Sequence, residues 1–319
     1  MPDVIKQFED WLRNDQDRGE LTVKAYLADV HGFVTWWQQT HGDRRFDLVA
    51  VTPTDIRDYR SRLTVVGRQK TNSVNRRLAA LRTFYKWAML HDMVRRSPLA
   101  GLKMDRQQKA APRWLEPRAE YYLQQAMEQR LQLLPPDETL TPTDRLIIRD
   151  AALIALMWKA GLRVSEVAAL DVVDLKIQSS QRGVAIVRLG KGRKSREVPL
   201  NAGTIAALRH WLKIRATSDH QPALFTSKTG RRLAPRAIQA VVEQIGREAA
   251  SKVPARGSDE REIIDALNAL TPHVLRHTSG KRLLDAGAQL TEVAEILGHE
   301  DLNVTRRYTQ PSKADLQRA

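Results

Sequence analysis

The sequence predicts two domains, mainly helical, with one small antiparallel β-sheet confined to the second. Three observations predict it. The chain has 319 residues, more than a single core usually serves. Apolar side chains recur at helical spacing over most of that length. Short runs rich in Val, Ile and Leu gather in one stretch between residues 172 and 200, which marks strands.

Four apolar stripes predict four helices in the first hundred residues. Val4, Ile5, Phe8, Trp11 and Leu12 form the first. Val23, Tyr26, Leu27, Val30, Phe33, Val34 and Trp37 form the second, with Thr22 as its expected cap. Ile56, Tyr59 and Leu63 make a weaker third after Thr52-Pro53-Thr54-Asp55. Val74, Leu78, Leu81, Tyr85 and Ala88 define a fourth from about Thr71 to His91. Four such helices can bury a small core between them. Periodicity stops at Ser97-Pro98, and residues 104–114 are polar without an apolar stripe, as an interdomain linker would be. The expected division is therefore a first domain over 1–103, a linker over 104–114 and a second domain over 115–319.

In the second domain a proline-rich loop at 135–143 precedes a helix carrying Leu146, Ile147, Ile154, Ala155 and Trp158. Strands are expected over Val172–Ile177, Val184–Leu189 and Arg196–Leu200. The last two flank Gly190-Lys191-Gly192-Arg193-Lys194 and read as a hairpin. Helices follow at 204–216, at 235–250 with Pro235 in the first turn, and at 272–286, 291–297 and about 301–308. Thr271-Pro272 and Thr291 are the expected starts, Gly287 and Gly298 the expected stops.

Lys and Arg number 52 against 37 Asp and Glu, a formal charge of +15. Such an excess suits a polyanion, most often nucleic acid. It has a local focus on the fourth helix, where Arg76, Arg77, Arg82 and Lys86 oppose the apolar stripe and Arg68 and Lys70 stand just ahead. Residues 71–90 contain neither Asp nor Glu, so this face reads as a phosphate-binding surface rather than a merely solvated one. The chain has no cysteine, which excludes disulfides, Cys-ligated zinc and thiol nucleophiles and fits a reducing compartment. The opening residues lack the apolar core of a signal peptide, and no apolar run is long enough to span a bilayer. A soluble, cytoplasmic protein is expected.

Five segments hold residues suited to phosphate chemistry. GLRVSEVAAL (161–170) places Arg163 at a corner after Gly161, with Glu166 three residues on. GKGRK (190–194) presents Lys191 between glycines on a turn; it lacks the spacing and the Ser or Thr of a Walker loop. TPHVLRHTSG (271–280) puts His273 and Arg276 on one face near a helix N-terminus, where anions are favoured. His273 and His277 also have zinc-pair spacing, but the metalloprotease Glu and a third ligand are lacking, so no metal site is expected. ILGHED (296–301) sets His299 just past a glycine, and VTRRYTQ (304–310) holds Tyr308. Taken singly, each has a plain structural reading as a cap, a hairpin turn or a packed ring.

Taken together, in this order and spacing, GLRVSE, GKGRKSREVPL, HVLRHT, LGHED and the late tyrosine closely resemble the signature boxes of the tyrosine recombinase, or phage integrase, family. The resemblance is to its Xer-like or transposon-encoded members and spans essentially the whole chain. It implies a helical, SAM-like core-binding domain followed by a tyrosine-recombinase catalytic domain that holds the small sheet. It implies that Arg163 and Arg276 clamp the scissile phosphate, which suits the bidentate guanidinium fork. His273 and His299 would hydrogen-bond its oxygens, Glu166 would support the site, and Lys191 would protonate the leaving 5′ oxygen. Tyr308 would be the nucleophile and form a 3′-phosphotyrosyl bond. Lys70, Arg76, Arg77, Arg82, Lys86, Arg193 and Lys194 would contact DNA.

No metal and no cofactor is implied. The implied partners are double-stranded DNA with paired core sites and, on that DNA, three further copies in a homotetramer that is monomeric or weakly associated when free. A related recombinase or an accessory DNA-bending protein would be further partners, and no membrane is involved. The segment after Tyr308 would pack into a neighbouring protomer. Two departures from the family pattern stand out: Ser279-Gly280-Lys281 is unusually polar, and residues 254–262 (PARGSDERE) look like an insertion. A type IB topoisomerase shares the chemistry, but the Xer-like N-terminal domain argues against it. A non-catalytic DNA-binding relative would lack a catalytic residue, and none is missing.

Overall fold

The computed structural model describes residues 2–16, 20–104, 113–188, 195–215, 222–255, 257–298 and 305–309. The chain divides into two compact units, Met1–Ala110 and Ala111–Ala319.

The first unit holds helices α1 (Pro2–Asn14), α2 (Glu20–Thr40), α3 (Pro53–Ser61) and α4 (Thr71–Leu90). Their apolar stripes meet in one core that buries Phe8, Leu12, Phe33, Leu78, Leu81, Phe84 and Trp87. The Phe8 ring meets Phe84 edge-on at 5.0 Å, and burying each such side chain contributes about 1.5–3 kcal/mol. α3 starts with a capping box: the Thr52 N–H donates to Asp55 Oδ2 at 2.8 Å and the Asp55 N–H to Thr52 Oγ1 at 3.3 Å. Thr22, expected as a cap, lies inside α2 instead. That helix begins at Glu20, whose carboxylate suits the positive end of the helix dipole and pairs with Arg13 and Lys24.

The cations of α4 also need a correction. The helix itself has no acid, but Asp29 of α2, buried at 3% exposure, pairs with Arg76 and lies 4.0 Å from Arg77. Burial pushes the Asp29 carboxyl up from its ordinary value, and the two guanidiniums oppose that shift. Arg82 donates to the Leu102 carbonyl at 2.9 Å, while Lys70 and Lys86 are exposed.

The second unit is built around α6 (Pro142–Trp158), whose residues from Ile148 to Trp158 are all buried. Around it stand α5 (Pro117–Gln132), α7 (Val164–Ala169), α8 (Ala202–Ile214), α9 (Pro235–Ala250), α10 (Ser258–Asn268), α11 (Pro272–Asp285) and α12 (Leu290–Leu297). The sheet has three antiparallel strands in the order β1 (Leu175–Ile177), β2 (Gly183–Val187) and β3 (Arg196–Pro199). Leu175 faces Ala185, and Val187 faces Arg196.

Three expectations change. The strand expected from Val172 starts only at Leu175, because Val172–Asp174 is a 3-10 turn. The Asp174 carboxylate accepts the Asp171 N–H at 2.8 Å, and such side-chain bonds compete with a ladder. A helix that was not expected, α10, begins within the stretch 254–262; its buried residues, Ile263 and Leu267, come only after a polar first turn. α12 is capped by Gln289, not Thr291; Gly298 ends it at φ +64°.

Candidate active site

The site begins at a corner that only glycine can turn. Gly161 follows α6 with φ +73°, and a Cβ there would stand 2.5 Å from Leu297 Cδ2. The corner delivers Arg163 to the N-cap position of α7. Its backbone N–H donates to Glu166 Oε2 at 2.7 Å, and its Nη1 donates to Glu166 Oε1 at 2.8 Å. Its Nη2 reaches the Gly298 carbonyl at 2.9 Å. One residue thus ties the start of α7 to the end of α12.

Arg276 arrives from α11 and is buried at 3% exposure. Its Nη1 donates to the Gly161 carbonyl at 2.7 Å, and its Nη2 donates to the Leu297 carbonyl. Nη1 also lies 3.7 Å from Glu166 Oε2. Arg163 and Arg276, distant in sequence, are therefore anchored to the same two chain segments and the same carboxylate.

A third guanidinium joins them. Arg196, at the start of β3, donates to both oxygens of Glu166, at 3.0 and 2.9 Å. Three guanidiniums around one carboxylate leave a surplus of positive charge. Burial pushes the Glu166 carboxyl up, but the bonds from Arg196 and the Arg163 backbone, with the charges of Arg196 and Arg276, outweigh it. The net shift is downward, so Glu166 stays ionised. Sequence reasoning left Arg196 without a role. Its signal was present in GKGRKSREVPL, as a cation opening a short strand five residues after Lys191.

His273 sits exposed in the first turn of α11, where Thr271 Oγ1 accepts the Val274 N–H at 3.3 Å. Its ring centre is 6.4 Å from that of His277. Among the described residues no three His, Asp or Glu side chains gather into a metal-binding group, and no helix is long and apolar enough to cross a membrane. The backbone of Tyr308 lies in a 3-10 turn, Arg306–Thr309, which rests against α11. Lys191, Arg193, Lys194 and His299 lie outside the described residues, as does the Tyr308 side chain.

Comparison with known proteins agrees with this architecture. A sequence profile described as the phage integrase family matches residues 127–315, and one described as the phage integrase N-terminal SAM-like domain matches residues 5–92. The tyrosine recombinase XerC of Azotobacter vinelandii is 33% identical over 96% of this chain and 90% of its own length. That of Mycobacterium sp. (strain KMS) is 31% identical over 99% and 96%. In fold, the chain resembles the XerH site-specific recombinase bound to a palindromic difH substrate, with a TM-score of 0.68 at 21% identity over 98% of this chain and 82% of that one. It also resembles the Tn1549 transposon integrase in complex with circular intermediate DNA, with a TM-score of 0.65 at 19% identity over 99% and 97%. The profile matches and the full-length relatives together place this chain in the phage integrase family, whose members are tyrosine recombinases, enzymes of site-specific DNA recombination.

Proposed function

We propose that the chain cuts and rejoins duplex DNA at paired core sites through a covalent 3′-phosphotyrosyl intermediate on Tyr308. The observation that carries this reading is the convergence of Arg163 and Arg276 from α7 and α11 around Glu166. Preorganised guanidinium donors stabilise the charge that builds on a pentacoordinate phosphorus, an effect of several kcal/mol.

In this scheme the Tyr308 oxygen attacks the phosphorus and loses its proton, and the bond to the deoxyribose 5′ oxygen breaks. A free phenol ionises near pH ~10, so the positive surplus around Glu166 serves a second purpose by making phenolate formation easier. His273 and His299 hydrogen-bond the phosphate oxygens, and His273 helps take the phenol proton. Lys191 protonates the departing 5′ oxygen as a general acid. Phosphodiester energy is kept in the phosphotyrosyl bond, so the reverse attack by a 5′ hydroxyl rejoins the strand. Lys70, Arg76, Arg77, Arg82 and Lys86 in the first unit, with Arg193 and Lys194 in the second, contact the DNA backbone. Four copies assemble on two paired sites, and a related recombinase or a DNA-bending protein is a further candidate partner.

The test is covalent trapping on a nicked suicide duplex, read by denaturing electrophoresis. Wild-type protein should accumulate an adduct, while Tyr308→Phe should bind the duplex equally well and form none. An adduct with the Phe variant would place the nucleophile elsewhere.

A further inference from the structure

Arg196 makes three directed hydrogen bonds to two separate elements. Its terminal nitrogens grip both oxygens of Glu166 on α7, at 3.0 and 2.9 Å. Its Nε donates at 3.1 Å to the carbonyl of Ile296, near the end of α12. The side chain itself is largely buried, at 11% exposure. One guanidinium thus joins β3 to the two elements that frame Arg163 and Arg276.

Gly298 leaves the space for it. A Cβ at that residue would stand 2.8 Å from the guanidinium carbon of Arg196. Glycine is therefore required there twice, once by φ +64° and once by the passage of Arg196.

We propose that Arg196 is a positioning residue for strand cleavage, one that takes up the charge of Glu166 so that Arg163 and Arg276 are oriented by that carboxylate without being captured by it. The inference rests on the phosphate-binding roles assigned above to Arg163 and Arg276. A buried carboxylate strongly prefers paired, bidentate partners. If Arg163 and Arg276 alone had to satisfy Glu166, its charge would draw their guanidiniums toward it and away from a phosphate, against the carbonyls that hold them. With Arg196 on both oxygens, the Arg163 side chain makes a single close approach to Glu166, at 2.8 Å, and the Arg276 guanidinium, which also donates to the Gly161 and Leu297 carbonyls, stands off at 3.7 Å. About a third of the Arg163 side chain, 35%, remains exposed, which is where an incoming phosphate oxygen would meet it.

The experiment measures single-turnover adduct formation on the suicide duplex, with half-site binding measured separately. Arg196→Ala should leave half-site affinity unchanged and slow adduct formation on the order of 100-fold, the effect of a misplacement of about 1 Å. Adding Glu166→Gln removes the charge that captures the two forks, so the double variant should cleave faster than Arg196→Ala alone. Arg196→Lys keeps the charge without the fork and should fall between Arg196→Ala and wild type. Gly298→Ala crowds Arg196 and also strains the turn whose carbonyl holds Arg163, and it should slow cleavage too.

A double variant no faster than Arg196→Ala would overturn the charge-uptake role, since a purely structural arginine predicts two losses that add. Wild-type cleavage by Arg196→Ala or Gly298→Ala would overturn it as well. Should Arg196→Ala fail to fold by thermal unfolding, Arg196→Lys with and without Glu166→Gln carries the same comparison. Tyr308→Phe on the same duplex keeps the two questions apart, because an adduct there refutes the proposed nucleophile and leaves the Arg196 comparison readable.

Discussion

At the residue scale, the state of each buried charge is set by the groups packed around it. Glu166 shows this on the acidic side, and Lys159 shows it on the basic side. Lys159 follows the last turn of α6, with its Nζ 3.4 Å from the centre of the Trp158 ring. Trp158 in turn donates to Glu120 at 2.6 Å, and Arg282 pairs with the same carboxylate. Burial, and after it the charge of Arg282, pushes the Lys159 ammonium down to about 8 from 10.5. The unfolded chain keeps its proton up to the higher value, so between these two pH values it binds more protons than the folded chain. Stability should therefore rise with pH across that window, and the cost of burying the charge is fully present below it. Lys159→Met keeps most of the stem's packing and removes the titration. Urea unfolding midpoints measured from neutral pH upward should climb for the wild type and stay flatter for the variant. Parallel curves would show that Lys159 titrates like an exposed lysine.

At the scale of the element, the cations of α4 and of the residue before it divide into two groups. Asp29 anchors Arg76 and Arg77, whereas Lys70 and Lys86 are exposed and Arg82 holds the Leu102 carbonyl. Replacing Lys70, Arg82 and Lys86 with Gln should weaken DNA binding. The dependence of log affinity on log salt should become shallower by about 0.9 for each phosphate no longer neutralised. The fold should hardly notice. Arg76→Gln should differ, because it strips the buried Asp29 of a partner and should also cost roughly 1–3 kcal/mol of stability. Salt titrations and urea unfolding separate the two classes. An unchanged slope for the triple variant would make that part of the face mere surface. The helix illustrates the limit of reading charge from one element: residues 71–90 contain no acid, and the counter-charge lies 47 residues away on α2.

For the whole molecule, the charge of +15 suits a protein that closes on a polyanion, and the proposed unit of action is a tetramer on two sites. In that proposal the segment after Tyr308 links neighbouring protomers. Deleting residues 312–319 should leave half-site occupancy nearly intact while lowering paired-site complexes and recombinant product. Native gels run alongside a product assay measure all three. Wild-type synapsis by the truncated protein would show that this segment couples nothing.

Periodicity by itself determined the mainly helical architecture and the small sheet, because one face of each element must leave water and the spacing of apolar residues records which. α9 runs over 235–250, as its apolar spacing and Pro235 indicate. Local competition escaped that record: carboxylates at 171 and 174 turned the start of a Val-rich run into a 3-10 turn, and a polar first turn hid α10. The order of the motifs and the family resemblance they carry likewise singled out Arg163 and Arg276, with Glu166 in support. Only the tertiary structure decided that Arg196 completes it, since a guanidinium's partners are set by which elements pack together. The physical reason is range. Apolar spacing and turn chemistry act within a few residues and are written along the chain, whereas an ion pair between β3 and α7 spans 30 residues and exists only once the core has placed both elements.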